Sequence, residues 1–105
     1  MKLFTKEIIK KIPEIGAQAD LGLEKLTLFC KLFTPWTNWT WYIAEANFET
    51  GEAFGLVCGF ENELGYFDLN ELIEIKGPAG LKIERDLSFQ PCSYREVMRK
   101  KNCEL

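Results

Sequence analysis

The chain has no histidine. That removes the most frequent general acid–base side chain and the most frequent zinc ligand. Cysteine catalysis loses its usual partner base for the same reason. The four cysteines, at positions 30, 58, 92 and 103, are widely spaced and include no C-x-x-C pair. The usual zinc ligand sets are therefore nearly excluded. There is no glycine-rich phosphate loop and no G-x-S-x-G string. An enzyme made from this chain would have to work through carboxylate, Tyr, Lys or Arg chemistry, and no pattern indicates it. No catalytic residue, metal or cofactor is assigned.

Long apolar runs are also missing. Lysines on both sides of Ile8 and Ile9 prevent a secretion-type segment at the start. The least charged stretch, residues 32–44, is broken by Thr, Asn and Pro and is too short to span a bilayer. The expectation is a cytoplasmic protein without membrane contact. In that compartment the cysteines remain thiols. Cys30 and Cys58 are expected to be buried, and Cys103, in a polar tail, to be exposed.

A third absence is local. Between residues 32 and 75 there is no Lys or Arg, and the eight acids there are Glu45, Glu49, Glu52, Glu61, Glu63, Asp68, Glu71 and Glu74. Both flanks are net basic, and the whole chain has a net charge of −3. An acidic tract of this length repels nucleic-acid phosphates and steers basic partners toward itself. The alternative is a solvated surface that keeps the protein soluble.

What is present reads as one globular α+β domain over residues 1–105. At 47% hydrophobic residues the chain can build a core without staples. Thr5 is placed to cap a helix over 6–12 that Pro13 ends. Residues 14–24 read as a loop. Residues 26–33 alternate in period two, with Leu26, Leu28, Cys30 and Leu32 on one face, and read as a strand. Residues 39–47 form a second strand rich in aromatic and β-branched residues. After a hairpin loop at 49–52, residues 53–60 form a third, with Phe54, Leu56, Cys58 and Phe60 on one face. Gly55 and Gly59 on its other face leave room for a close neighbour. A short strand over 64–67, a helix capped by Asp68, a turn at 77–80, a strand over 81–89 and a helix from Tyr94 capped by Ser93 complete the reading. The fold expected is a small antiparallel sheet of four to five strands with short N-terminal, middle and C-terminal helices.

Two features invite a functional reading. Three tryptophans, Trp36, Trp39 and Trp41, fall within six residues. Trp39 and Trp41 share a strand face and are candidates for the core, and Trp36 in its turn is the best candidate for exposure. Exposed, such a cluster suits a protein hot spot. Glu45 and Arg85 both fall on apolar strand faces, where each is costly to bury alone; a pair between them would resolve both, and the alternative is that they are strand-end residues that reach water.

Three segments, F-T-P-W-T-N-W-T-W-Y at 33–42, G-L-V-C-G-F-E-N-E-L-G-Y-F-D-L-N-E-L at 55–72 and G-L-K-I-E-R-D-L-S-F at 80–89, together with the opening K-L-F-T, resemble the bacterial family catalogued as domain of unknown function 2958. The resemblance covers residues 1–97 and leaves 98–105 as a polar tail. It implies a small accessory protein of plasmids, integrative elements and phages, and no established activity. It highlights Trp36, Asn38, Trp39, Trp41, Glu45, Glu61, Glu63, Gly65, Tyr66, Glu84, Arg85 and Asp86. Cys58 departs from the acidic or polar residue common at its position.

The binding residues expected are Trp36, Asn38, Trp39, Trp41, Glu45, Glu61, Glu63, Tyr66, Arg85 and Asp86. The leading expectation is a non-enzymatic protein-interaction module, with anti-defence action as its concrete form. Its partner is expected to be basic or nucleic-acid-handling. A second reading is a small-ligand or metal-binding domain, extending to a hydrolase, which requires Glu45, Glu61, Glu63, Arg85 and Asp86 to converge. Direct nucleic-acid binding is disfavoured; it requires the basic segments 2–11 and 95–101 to form one patch. The oligomeric state is left open.

Overall fold

The computed structural model describes residues 3–103, with side chains through Lys101. Helix α1 (Lys6–Lys11) starts where the Thr5 hydroxyl accepts the Ile8 N–H at 3.2 Å. Strands β1 (Thr27–Leu28), β2 (Cys30–Phe33), β3 (Thr40–Ala46), β4 (Glu52–Cys58) and β5 (Asn62–Asp68) follow. Helix α2 (Leu69–Glu74) is capped by Asp68, whose carboxylate accepts the Asn70 N–H at 2.8 Å. Then come β6 (Glu84–Arg85), β7 (Cys92–Ser93) and α3 (Tyr94–Cys103), in which the Ser93 hydroxyl accepts the Glu96 N–H.

The fold is α+β. Five antiparallel strands form a sheet in the order β5-β4-β3-β2-β6, and β1 pairs with β7 in a separate two-stranded ribbon. Alternation along the central strand serves two cores. Trp41 and Ile43 pack with Phe4, Ile12, Leu69 and Leu72, which places α1 and α2 on one face. Tyr42 and Ala44 pack with Leu56 and Val97, which places α3 on the other. The basic segments at the two ends of the chain therefore lie on opposite faces of the sheet and do not form one patch.

Two expected strands are corrected. The run 26–33 breaks at Phe29. All four alternating residues are buried, but Leu26 and Leu28 join the α3-side core whereas Cys30 and Leu32 join the α1-side core. The chain changes sheet at Phe29, and strict period-two reading cannot show that. The run 81–89 contains only the two-residue β6. Asp86 captures the Ser88 N–H at 2.9 Å and the Ser88 hydroxyl at 2.7 Å, and this local turn outcompetes further pairing.

The close approach expected at Gly55 is present. A Cβ there would lie 1.8 Å from the Tyr42 carbonyl oxygen, so only glycine fits between β3 and β4. The β3–β4 turn is closed by the Asn47 side chain, which accepts the Glu49 and Thr50 N–H groups, and by Gly51 at φ +89.

Cys30, Cys58 and Cys92 are free thiols, and the first two are buried as expected. The exposure expected of Cys103 concerns a side chain outside those described. Burial pushes the Cys30 thiol up to about 12, against an ordinary value of 9.0, with Arg85 opposing the shift. A thiol raised on folding stabilises fully below its unfolded pKa and loses that contribution as pH rises toward its folded one. Urea unfolding at pH 8 and pH 10.5 should therefore show the native chain losing about 2 kcal/mol more than Cys30→Val, since each pH unit above the unfolded pKa is worth ~1.4 kcal/mol. Equal losses in the two proteins would refute the assignment.

Candidate functional site

Glu45 and Arg85 do not pair. A one-residue bulge lies between Ile43 and Glu45, so that Glu45 stands opposite Phe54 instead of continuing the face of Trp41 and Ile43. The buried carboxylate accepts the Gly16 N–H at 2.8 Å and the Gln18 N–H at 2.7 Å. Gln18 extends the link: its side chain bonds the Thr27 N–H and the carbonyls of Thr27 and Ala44. Glu45 is thus a structural acceptor that pins the 14–19 loop to the sheet. Arg85 sits at the far edge, where its Nε donates to the Leu3 carbonyl at 2.9 Å.

The five-residue carboxylate–Arg pocket is corrected for the same reason. Glu61 and Glu63 are exposed at the β4–β5 turn and on β5, while Arg85 and Asp86 lie beside β2, at the opposite edge of the five-stranded sheet. Asp86 pairs with Lys31 at 3.6 Å, and hydrogen bonds from Ser88 hold its carboxyl below the ordinary carboxylate range. Among the described residues, no three of the Cys, Asp and Glu side chains gather as a metal site would require.

The tryptophan motif is mostly architecture. Trp41 is buried in the α1-side core. Trp36, expected to be exposed, is half-buried because its indole lies on the Gly77 backbone; a Cβ at Gly77 would meet the ring at 2.5 Å. The turn between them is closed by Thr34 and Thr37, whose hydroxyls bond each other, and by the Thr34 N–H donating to the Trp39 carbonyl. Trp39 is half-buried against Trp41, with ring centroids 5.9 Å apart, and lies over Gly59 as the sequence anticipated.

Phe60 is the most exposed aromatic among the described residues. It is 96% exposed, although alternation placed it on one face with Leu56 and Cys58, which are buried. The strand ends at Cys58, and the Gly59 N–H donates to the Glu61 carbonyl across a tight reversal that throws Phe60 outward. Glycine at 59, two residues before an acid, was the available signal. The Phe60 ring meets Trp39 edge-on at 5.5 Å. Glu61, Asn62 and Glu63, which follow it in the chain, are exposed, and β3, β4, β5 and α2 carry no Lys or Arg. Tyr66 on β5, 65% exposed, lies on the opposite face of the sheet from Glu63 and packs against Phe54 with ring centroids 4.9 Å apart. One phenyl ring thus stands in solvent beside an indole, at the head of a strand that carries acids and no cation.

A concavity of about 1090 Å³ lies between the 86–91 turn, α3 and the sheet. Asn38, Trp39, Arg85 and Asp86 line it together with Lys31 and Lys101. Cationic and anionic side chains alternate there without a dominant sign.

A family model described as protein of unknown function (DUF2958) matches residues 3–98. The chain belongs to the DUF2958 family. No curated protein and no solved structure matches it. In DUF2958 terms, the family-like strings of this chain are largely explained by packing: Trp36 on Gly77, Trp39 on Gly59, Trp41 in the core and Glu45 on the 14–19 loop. No helix among the described residues is long and apolar enough to cross a membrane.

Glu45→Ala removes the acceptor from two backbone N–H groups and should cost roughly 2–4 kcal/mol, because hydrogen bonds to a charged group are each worth ~1.5–3 kcal/mol and both donors are stranded. Amide exchange at Gly16 and Gln18 should accelerate with it. Unchanged stability with unchanged exchange would show that Glu45 does not hold this loop.

Proposed function

We propose that this protein is a non-enzymatic, cytoplasmic interaction module of a mobile genetic element. Its contact surface is the β4–β5 turn and the adjoining β5, and its partner is a basic, nucleic-acid-handling protein. Anti-defence action is the concrete form of that role.

The observation that carries the reading is Phe60. The phenyl ring is 96% exposed yet meets Trp39 edge-on, and the exposed Glu61 and Glu63 follow it in the chain. Aromatic anchors of this kind dominate interface energetics, and a rim of one charge sets partner choice and association rate. The residue types at this surface also suit binding better than chemistry, since no acid–base pair is poised there. The link to mobile elements rests on family resemblance alone.

Affinity purification from the native host, using the intact chain beside Phe60→Ala and Glu61→Lys/Glu63→Lys, tests the proposal. The expected result is one partner with a strongly basic surface, retained by the intact chain and reduced at least tenfold in both variants, with far-UV circular dichroism unchanged. A partner retained equally by all three proteins would move the function elsewhere on the fold.

A further inference from the structure

The two edges of the five-stranded sheet are treated differently. β6 has two residues and is followed at once by the Asp86–Ser88 turn. Arg85 belongs to it and Lys82 lies two residues before its start, so that edge carries the usual defences of shortness and cationic side chains. β5 has seven residues, with neither Pro nor Lys and no register shift against β4. Nothing among the described residues bonds to its outer side.

The ladder identifies which groups face outward. The Leu69 N–H donates to the Gly51 carbonyl, and the Gly59 N–H donates to the Glu61 carbonyl. Antiparallel pairs alternate between bonded and non-bonded, so Glu63, Gly65 and Phe67 bond to β4. Asn62, Leu64 and Tyr66 therefore turn their N–H and C=O groups to the open side. Leu64 and Tyr66 also lie on the face of Phe54 and Leu56, while Glu63 lies on the other.

We infer that β5 is a docking edge for an extended basic segment of the partner protein, which adds as a sixth, antiparallel strand. This rests on the proposed function and names how that partner binds. Charge selects the occupant. β5 and the elements packed beside it contain no cation, and Glu61, Glu63, Glu52 and Asp68 lie along or next to it. Glu52 and Asp68 even stand directly opposite each other, an unfavourable like-charge pair that a cation from a partner would relieve. A second copy of this chain would bring the same cation-free surface against itself. The incoming strand is thus expected to place Lys or Arg opposite Glu61, Glu63 and Asp68 and apolar residues opposite Leu64 and Tyr66. Main-chain bonds supply affinity and these alternating positions supply specificity.

The test uses the full chain and a labelled peptide, acetyl-Lys-Val-Ile-Thr-Val-Lys-Thr-Arg-amide, with a control in which its Lys and Arg are replaced by Glu. Tyr66→Pro removes an outward N–H that the internal ladder does not use, so the sheet keeps its bonds. Glu63→Lys reverses the charge without touching the backbone. Fluorescence anisotropy should show saturable binding of the basic peptide and at least tenfold weaker binding of the acidic one. Each variant should lose at least tenfold in affinity while melting cooperatively, and the Leu64 and Tyr66 amides should exchange at least tenfold more slowly in the complex. No binding of the basic peptide, or equal affinity in Tyr66→Pro, overturns the inference. So does a free chain that sediments at twice 12.1 kDa with those two amides already protected, because a second copy then holds the edge. If the native partner is lost with Phe60→Ala but kept with Tyr66→Pro, the interaction module survives and strand addition does not.

Discussion

β3 has no solvent-facing side. Six consecutive side chains, Trp41 to Ala46, are buried, odd positions in one core and even positions in the other until the bulge. A strand buried on both faces cannot slip by one residue without exchanging its two cores, so its register fixes the sheet. Gly55 admits the Tyr42 carbonyl at a distance no side chain would allow, and the bulge then turns Glu45 toward the 14–19 loop. A buried carboxylate is tolerated there because two backbone donors meet it. Helices α1 and α2 close one face and α3 the other.

With most of the central strand occupied by packing, the two sheet edges differ in what they leave open. The β6 edge is short and joined to a local turn. The β5 edge is long, and the turn that feeds it carries Phe60 and two carboxylates. The charge pattern follows the same division: every residue of β3, β4, β5 and α2 is neutral or acidic, while Lys31, Lys82 and Arg85 lie at the β2–β6 side. Steering of a basic partner would therefore lead it to the edge with unused hydrogen-bonding groups, so electrostatics and backbone valence favour the same place.

Much of the fold was legible in the sequence. The helix caps at Thr5, Asp68 and Ser93, the glycine positions at 55 and 59, and the burial of Cys30 and Cys58 follow from local rules that the tertiary structure did not override. The errors share one cause. Period-two reasoning assumes an uninterrupted strand, and it failed at Phe29, at the bulge before Glu45 and at Gly59. Each is a single-residue irregularity that reverses which face the following side chains take. The site was legible in composition more than in placement. Glu61, Glu63 and Trp39 lie at or beside the proposed turn and Tyr66 on the β5 edge, but Trp36, Trp41 and Glu45 belong to the framework. Phe60, the most exposed aromatic among the described residues, was placed by alternation on one face with Leu56 and Cys58, which are buried. Gln18 gave no sequence signal, because its role depends on two carbonyls 26 residues or fewer away that only the folded sheet brings together.

The central claim is that function resides at the β4–β5 turn and the β5 edge. The most direct measurement is amide hydrogen exchange of the tagged chain in native host extract compared with the purified chain in buffer. The account predicts new protection confined to residues 60–68, with the groove lined by Lys31, Asp86 and Lys101 unchanged. Protection appearing in that groove, with residues 60–68 exchanging as in buffer, would contradict it.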